Sequence, residues 1–319
     1  MTYLGLAGCL ALITFGAVSL LASLVVWPAA RRHLGRAEPR GGTLLALRFA
    51  PTLAAAVAVG AIVLPAFLRL EPRHSGERVG VVMLLLAASV ACMVVAGPLR
   101  ALRSVLATRA LVRRWRAGAA EAVLPGWRSP AFAIDEAVPP IAVVGVVRPR
   151  LYVARQVLER CTRDELVAIV AHETAHVSRR DNLKRLLLRS CPDLVALTPL
   201  GARIERVWSE ASDRQADDYA AERTGSRLDL AAALVKVARS LGAPAPAGGA
   251  LAAFCREAEI STRVRRLLHP TRQGVGGLTP RRLALVAGPV LLAMAAIAQH
   301  AGVAARIHGV AEAVVRFLQ

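Results

Sequence analysis

Four stretches of the chain are apolar almost without interruption: residues 4–30, 44–68, 79–99 and 283–301. Each reaches or exceeds the roughly 20 residues a helix needs to cross the hydrocarbon core of a bilayer. The pattern therefore predicts four transmembrane helices. Between the third and fourth, residues 117–275 have another character: apolar positions come in short runs divided by charges, prolines and glycines. That length suits one small water-exposed domain. Its first part reads as strands at 131–134, 141–147 and 151–154, separated by Pro139, Pro140, Arg148 and Pro149, and so as a small sheet.

Helices follow. Thr162-Arg163-Asp164-Glu165 has the spacing of a capping box, in which the threonine side chain and the glutamate three residues on satisfy the free amides of a starting helix. Leu166, Val167, Ile169, Val170, Leu183, Leu186, Leu187 and Leu188 then supply the apolar face of one long helix, which must stop at Pro192. A second helix opens at Thr198-Pro199 and ends near Gly225, a third runs from Ser226 to Gly242, residues 243–249 form a linker, and 261–269 form a short helix ended by Pro270.

Charge orients these elements. Arg31, Arg32, Arg36 and Arg40 stand between the first two spans against the single acid Glu38, which holds that connection in the cytoplasm and puts the N-terminus outside. The connection at 71–78 is balanced in charge, as an external loop is. After the third span Arg100, Arg103, Arg109, Arg113, Arg114 and Arg116 alternate with Leu99, Leu102, Val105, Leu106 and Leu111, the pattern of a basic amphipathic helix lying along the inner membrane surface. Arg48 and His300 fall near span ends, where snorkelling to the headgroups accounts for them. The 117–275 segment is then cytoplasmic, and the tail after the fourth span is external.

Composition removes other functions. A formal net charge of +19 invites a nucleic-acid reading, but aromatic residues make up only 4% of the chain and no nucleic-acid-binding motif is present. Anionic lipid is the simpler partner for arginines on cytoplasmic loops. The five cysteines, Cys9, Cys92, Cys161, Cys191 and Cys255, are isolated in sequence and form neither a disulfide framework nor a metal cluster.

One constellation carries chemistry. In His172-Glu173-Thr174-Ala175-His176 the histidines are four apart, so both imidazoles leave one face of a helix and can hold one tetrahedral metal. Glu173, one position along, sits beside that metal without ligating it and can act as general base and then general acid. A third protein ligand is required to leave a fourth position open. Glu210, Asp213 and Asp217 share one face of the second helix and are the candidates.

With these residues in view the chain resembles the BlaR/MecR-type antirepressor membrane metallopeptidases, which are gluzincins related to the HtpX-type peptidases. The matching residues are Val144 to Leu151, Asp164-Glu165-Leu166, His172 to His176, Asp181-Asn182, and Asp213 to Asp218. In the last segment those families read Glu-x-x-Ala/Cys-Asp. The resemblance implies that Asp213 stands at the zinc-binding glutamate, with Glu210 one turn earlier as the alternative third ligand, and that Asp217 steadies a ligand histidine. It also implies Zn2+ as cofactor, a bacterial cell membrane as location, and a winged-helix repressor of the BlaI/MecI type as substrate. The penicillin-binding sensor domain of those proteins is not expected in the short tail, so direct covalent sensing of a beta-lactam is not expected either.

The expectation is a mainly α membrane protein: residues 1–116 as three spans plus a basic amphipathic helix, 117–275 as a cytoplasmic α+β zincin-like domain, and 276–319 as a fourth span with an external tail. It would be a zinc endopeptidase acting in signal transduction. An HtpX-like quality-control protease and a non-catalytic membrane transducer are the competing expectations.

Overall fold

A computed structural model describes residues 3–70, 80–136, 139–240 and 257–269, with scattered positions between 300 and 313. The fourth apolar stretch, the 71–78 connection and the 243–249 linker lie outside or almost wholly outside the described residues.

The chain divides into two compact units. The first gathers residues 1–101, 187–208 and 276–319. Its helices are α1 (Tyr3–Leu34), α2 (Gly41–Val57) continued through a π-helical turn (Ala58–Val63) into α3 (Leu64–Leu70), and the first part of α4 (Val81–Arg116). Among the described residues three helices, Tyr3–Leu34, Gly41–Leu70 and Val81–Arg116, are long and apolar enough to cross a membrane. They leave Leu21, Leu24, Val25 and Leu85 exposed, large apolar side chains that water would disfavour and lipid would not.

The arginine-rich run after the third span does not begin a helix of its own. It continues α4, one helix of 36 residues. At 1.5 Å per residue that is about 54 Å, against about 30 Å of hydrocarbon. Pro98 lies within α4 and does not end it.

Within the same unit Val26, Ala30, Leu34, Leu44 and Leu45 pack with Leu188, Val195, Leu200, Ile204 and Trp208. Arg48 does not snorkel. It is 3% exposed and ion-paired with the fully buried Asp193, which also accepts a hydrogen bond from the Thr52 hydroxyl (2.8 Å) and caps the 3-10 turn Leu194–Leu197 through the Ala196 amide (3.0 Å). A buried guanidinium needs a buried carboxylate, and this partner is 145 residues away. Arg100 donates to the carbonyls of Arg189 and Cys191, and Gly97 permits a close approach by the Ser190 carbonyl that a Cβ would block.

The second unit, 102–186 and 209–275, holds a four-stranded sheet of β1 (Ala120–Glu121), β2 (Ala131–Ile134), β3 (Ile141–Val144) and β4 (Arg150–Ala154) in the order β1-β2-β4-β3. β2 and β4 run parallel, and β3 pairs antiparallel with β4 at the sheet edge. β3 stops earlier than the apolar run suggests, because Gly145 takes φ +112° and turns the chain. β4 alternates as a two-faced strand must. Leu151 and Val153 point to a cluster with Val157, Ile169, Val170, Ala233 and Val237, while Tyr152 packs with Ile134 and with Trp115 at the end of α4.

Helices α5 (Arg155–Arg160), α6 (Arg163–Ser178), α7 (Asp181–Ser190), α8 (Pro199–Thr224), α9 (Arg227–Ser240) and α10 (Glu257–Leu268) complete the described residues. The single helix expected from Thr162 to Pro192 is two. Arg180 takes the left-handed conformation, φ +55°, and breaks it after Ser178. The apolar pattern cannot reveal this break, because the interruption is a charged run, Arg179-Arg180-Asp181, and its cause is the use the fold makes of Asp181. At the other end the capping box is formed: the Thr162 amide donates to Glu165 (2.7 Å) and the Glu165 amide to the Thr162 hydroxyl (3.3 Å).

Candidate metal centre

The preceding turn of α6, Ala168 to Ala171, is buried, which fixes the face from which His172 and His176 project. His172 is buried and His176 nearly so. Their Nε2 atoms lie 3.2 Å apart and so point at one place. Asp213, buried on α8, brings Oδ1 to 3.3 Å from His176 Nε2. One ligand atom from each of His172, His176 and Asp213 falls within 4.8 Å of the others, the one such group among the described residues. Glu210, on the same helix, is outside it.

The donor set fits a small tetrahedral cation. Ligands about 2.0 Å from a tetrahedral centre stand about 3.3 Å from each other, close to the 3.2 and 3.3 Å of the two pairs that His176 makes, with the third pair within 4.8 Å. Asp213 Oδ1 is moreover a buried carboxylate oxygen that makes no well-aligned hydrogen bond, a costly state for a charged group unless a cation completes it; its contact at 3.3 Å is with His176, another member of the set.

Each imidazole is backed by a carboxylate on its other nitrogen. His172 Nδ1 lies 2.9 Å from Asp217 Oδ1. His176 Nδ1 lies 2.9 Å from Asp181 Oδ2. Such contacts set the tautomer and aim the ring. Asp181 reaches back because the chain breaks at Arg180: five residues apart on one straight helix, the two side chains would face different directions. It also accepts from Ser212 Oγ (2.6 Å), Arg179 (3.0 Å) and Lys184 (2.9 Å). Asp217, fully buried, is gripped by Arg263 of α10 through Nε to Oδ2 (2.9 Å) and Nη2 to Oδ1 (2.6 Å).

These contacts set the charge states. Burial raises the carboxyls of Asp181 and Asp217, but the hydrogen bonds from His176 and Ser212 and the charge of Arg179 outweigh it at Asp181, and Arg263 and His172 do so at Asp217. Both are held well below the usual carboxylate range. Asp213 is held down by His176 and Arg263. Burial lowers the His176 imidazole, yet its hydrogen bond to Asp181 and the carboxylates of Asp213 and Glu173 push it up to about 9.

Glu173, half-buried, borders a cleft together with His172, Pro140, Ile141, Leu230 and Arg263. The cleft runs past the edge strand. Because the Ala154 amide donates to the Pro140 carbonyl, alternation along β3 turns the backbone groups of Ala142 and Val144 toward β4 and those of Ile141 and Val143 outward. The side-chain amide of Asn182 caps the outward carbonyls of Val143 (3.0 Å) and Gly145 (3.2 Å). The outward amides of Ile141 and Val143 remain on the edge.

Two imidazoles on one helix, a carboxylate facing them from a second and a glutamate beside them at the mouth of a cleft make up the residue set of a metallopeptidase. Residues 108–312 match Peptidase family M48, and the chain belongs to that family. With its three apolar helices it is a membrane-associated metallopeptidase, and peptidases of this family are generally zinc-dependent. Among curated proteins no match is found.

Sequence reasoning did not assign roles to Asp181, Ser212, Arg179 or Arg263. Asp181 had a signal, a carboxylate five residues past His176 within a charged run. Arg263 had none, since it meets Asp217 across 46 residues.

Proposed function

We propose that this chain is a zinc endopeptidase that cuts a peptide bond in a cytoplasmic protein, with His172, His176 and Asp213 holding the metal and Glu173 serving as general base and acid. The observation that carries this reading is the convergence of two imidazole Nε2 atoms and a buried carboxylate oxygen beside Glu173. Zinc, when bound there, supplies a Lewis acid that acidifies water and polarises a carbonyl. Glu173 accepts a proton from the attacking water as its oxygen adds to the scissile carbonyl carbon, then delivers that proton to the amide nitrogen as the C–N bond breaks. Asp181 and Asp217 hold the imidazoles in the tautomer that presents Nε2.

Substrate binding is by strand addition. An extended peptide laid along β3 meets the outward amides of Ile141 and Val143, and the adjacent cleft accepts an apolar side chain next to the cut bond through Ile141, Ile169, Leu230 and Leu234.

The arginines at 31–40 and 100–116 orient the chain with its peptidase part in the cytoplasm and its N-terminus outside, and residues 283–301 supply a fourth span. The resemblance to BlaR/MecR-type antirepressor peptidases makes a winged-helix transcriptional repressor the substrate and signal-responsive regulation the role. Proteomic comparison of cells carrying the native chain with cells carrying Glu173→Gln tests this. A repressor cleaved only in the former is expected, and identical protein fragments in both would refute it.

A further inference from the structure

We infer that Arg263 of α10 is a positioning residue for the metal centre, acting on His172 through Asp217; the inference rests on the zinc site proposed above. Asp217 is fully buried, and its carboxylate has two kinds of contact: the Nδ1 of His172 at 2.9 Å and the Nε and Nη2 of Arg263 at 2.9 and 2.6 Å. A two-toothed guanidinium fixes a carboxylate in plane and in rotation, which a point cation cannot do. Because Asp217 Oδ1 is shared between Arg263 Nη2 and His172 Nδ1, the rotation that Arg263 imposes is the one that aims the imidazole. His176 is treated differently. Its carboxylate, Asp181, is held by three separate groups from its own neighbourhood and from α8, whereas the guanidinium that grips Asp217 comes from α10.

The same helix makes a second contact that serves as an internal control. Arg266, one turn on, binds Asp218 and the Arg214 carbonyl (3.2 Å) and so fastens α10 to α8 without touching Asp217. A role in docking the helix belongs to both arginines. A role in aiming His172 belongs to Arg263 only.

The test uses the full chain in detergent, stripped of metal, titrated with Zn2+ against a chromophoric chelator, and in parallel loaded with Co2+ for its visible spectrum. Arg263→Ala is expected to weaken zinc binding 10- to 100-fold, the range for loss of a group that supports a metal-bound histidine, and to alter the Co2+ bands. Arg263→Lys restores at most part of the affinity, and Arg266→Ala stays within about twofold of native.

Removing Arg263 alone strands a buried charge and could unfold the protein, so Arg263→Ala/Asp217→Asn, which removes both charges, is compared with Asp217→Asn. The double variant should bind zinc no more weakly than Asp217→Asn, since Arg263 aims His172 through Asp217 and its other influence, a positive charge near Asp213, opposes a bound cation. A double variant more than about fivefold weaker, an Arg266→Ala loss equal to that of Arg263→Ala, or a native affinity in Arg263→Ala would each overturn the inference while leaving the zinc site standing. A native chain that binds no zinc overturns the site itself, and the inference with it.

Discussion

The Nδ1 of His176 stands 2.9 Å from the Oδ2 of Asp181, a residue that begins a new helix because the chain breaks between them at Arg180. The break is therefore part of the site: it turns a carboxylate back onto the ring that the previous helix presents. Asp181→Asn keeps the shape and the hydrogen-bonding reach but removes the charge that raises the basicity of His176. Zinc affinity should fall about 10- to 100-fold in a competition titration, with the fold retained. An unchanged affinity would mean that Asp181 only joins the helices.

The metal-free chain should have opposite pH dependences at its two ends. His176 titrates at about 9, above its ordinary 6.5. Its contribution to stability is complete below 6.5 and is lost as pH rises through 9. Asp181 and Asp217 titrate below their ordinary 3.8. Their contribution is complete above 3.8 and is lost as pH falls below it. Thermal unfolding of the metal-free protein should give a Tm that falls on both sides, and His176→Gln should flatten the alkaline side and weaken the acid side, since His176 is one of the groups that hold Asp181 low.

Asp193→Ala leaves Arg48 buried without its carboxylate and should destabilise the chain by about 3–5 kcal/mol. Arg48→Met/Asp193→Leu removes both charges and should come close to native, since a buried pair is worth little more than apolar residues of its size. Thermal melts in detergent distinguish the two. Equal losses in both variants would show that the apolar pair packs badly.

How far these relationships could be read beforehand depends on their reach along the chain. The histidine pair, Glu173, the capping box at Thr162 and the proline-opened helix at Pro199 are local patterns, and each is visible in a few consecutive residues. Asp213 and Asp217 were legible as one face of a helix, and the structure puts Asp213 near the imidazoles while Glu210 is not. The break at Arg180, the Arg48 pair and the Arg263 contact depend on residues far apart or on a backbone conformation that no periodicity encodes. The arginine run after the third span is helical as expected, but amphipathic spacing says nothing about whether a helix continues from the one before it.

Strand geometry supplies a sharper test of substrate binding. Val143→Pro removes an amide that points away from the sheet, which an edge strand tolerates. Val144→Pro removes one that points into the β3–β4 ladder. The first should leave the fold intact and lower cleavage at least tenfold, and the second should also lower stability. Full cleavage by a folded Val143→Pro chain would end the strand-addition account.

If His172, His176 and Asp213 hold zinc, metal analysis of the purified full chain should find one zinc per native chain, retained in Glu173→Gln and lost in His176→Ala. A native chain without stoichiometric zinc, or a His176→Ala chain that keeps it, would contradict the claim.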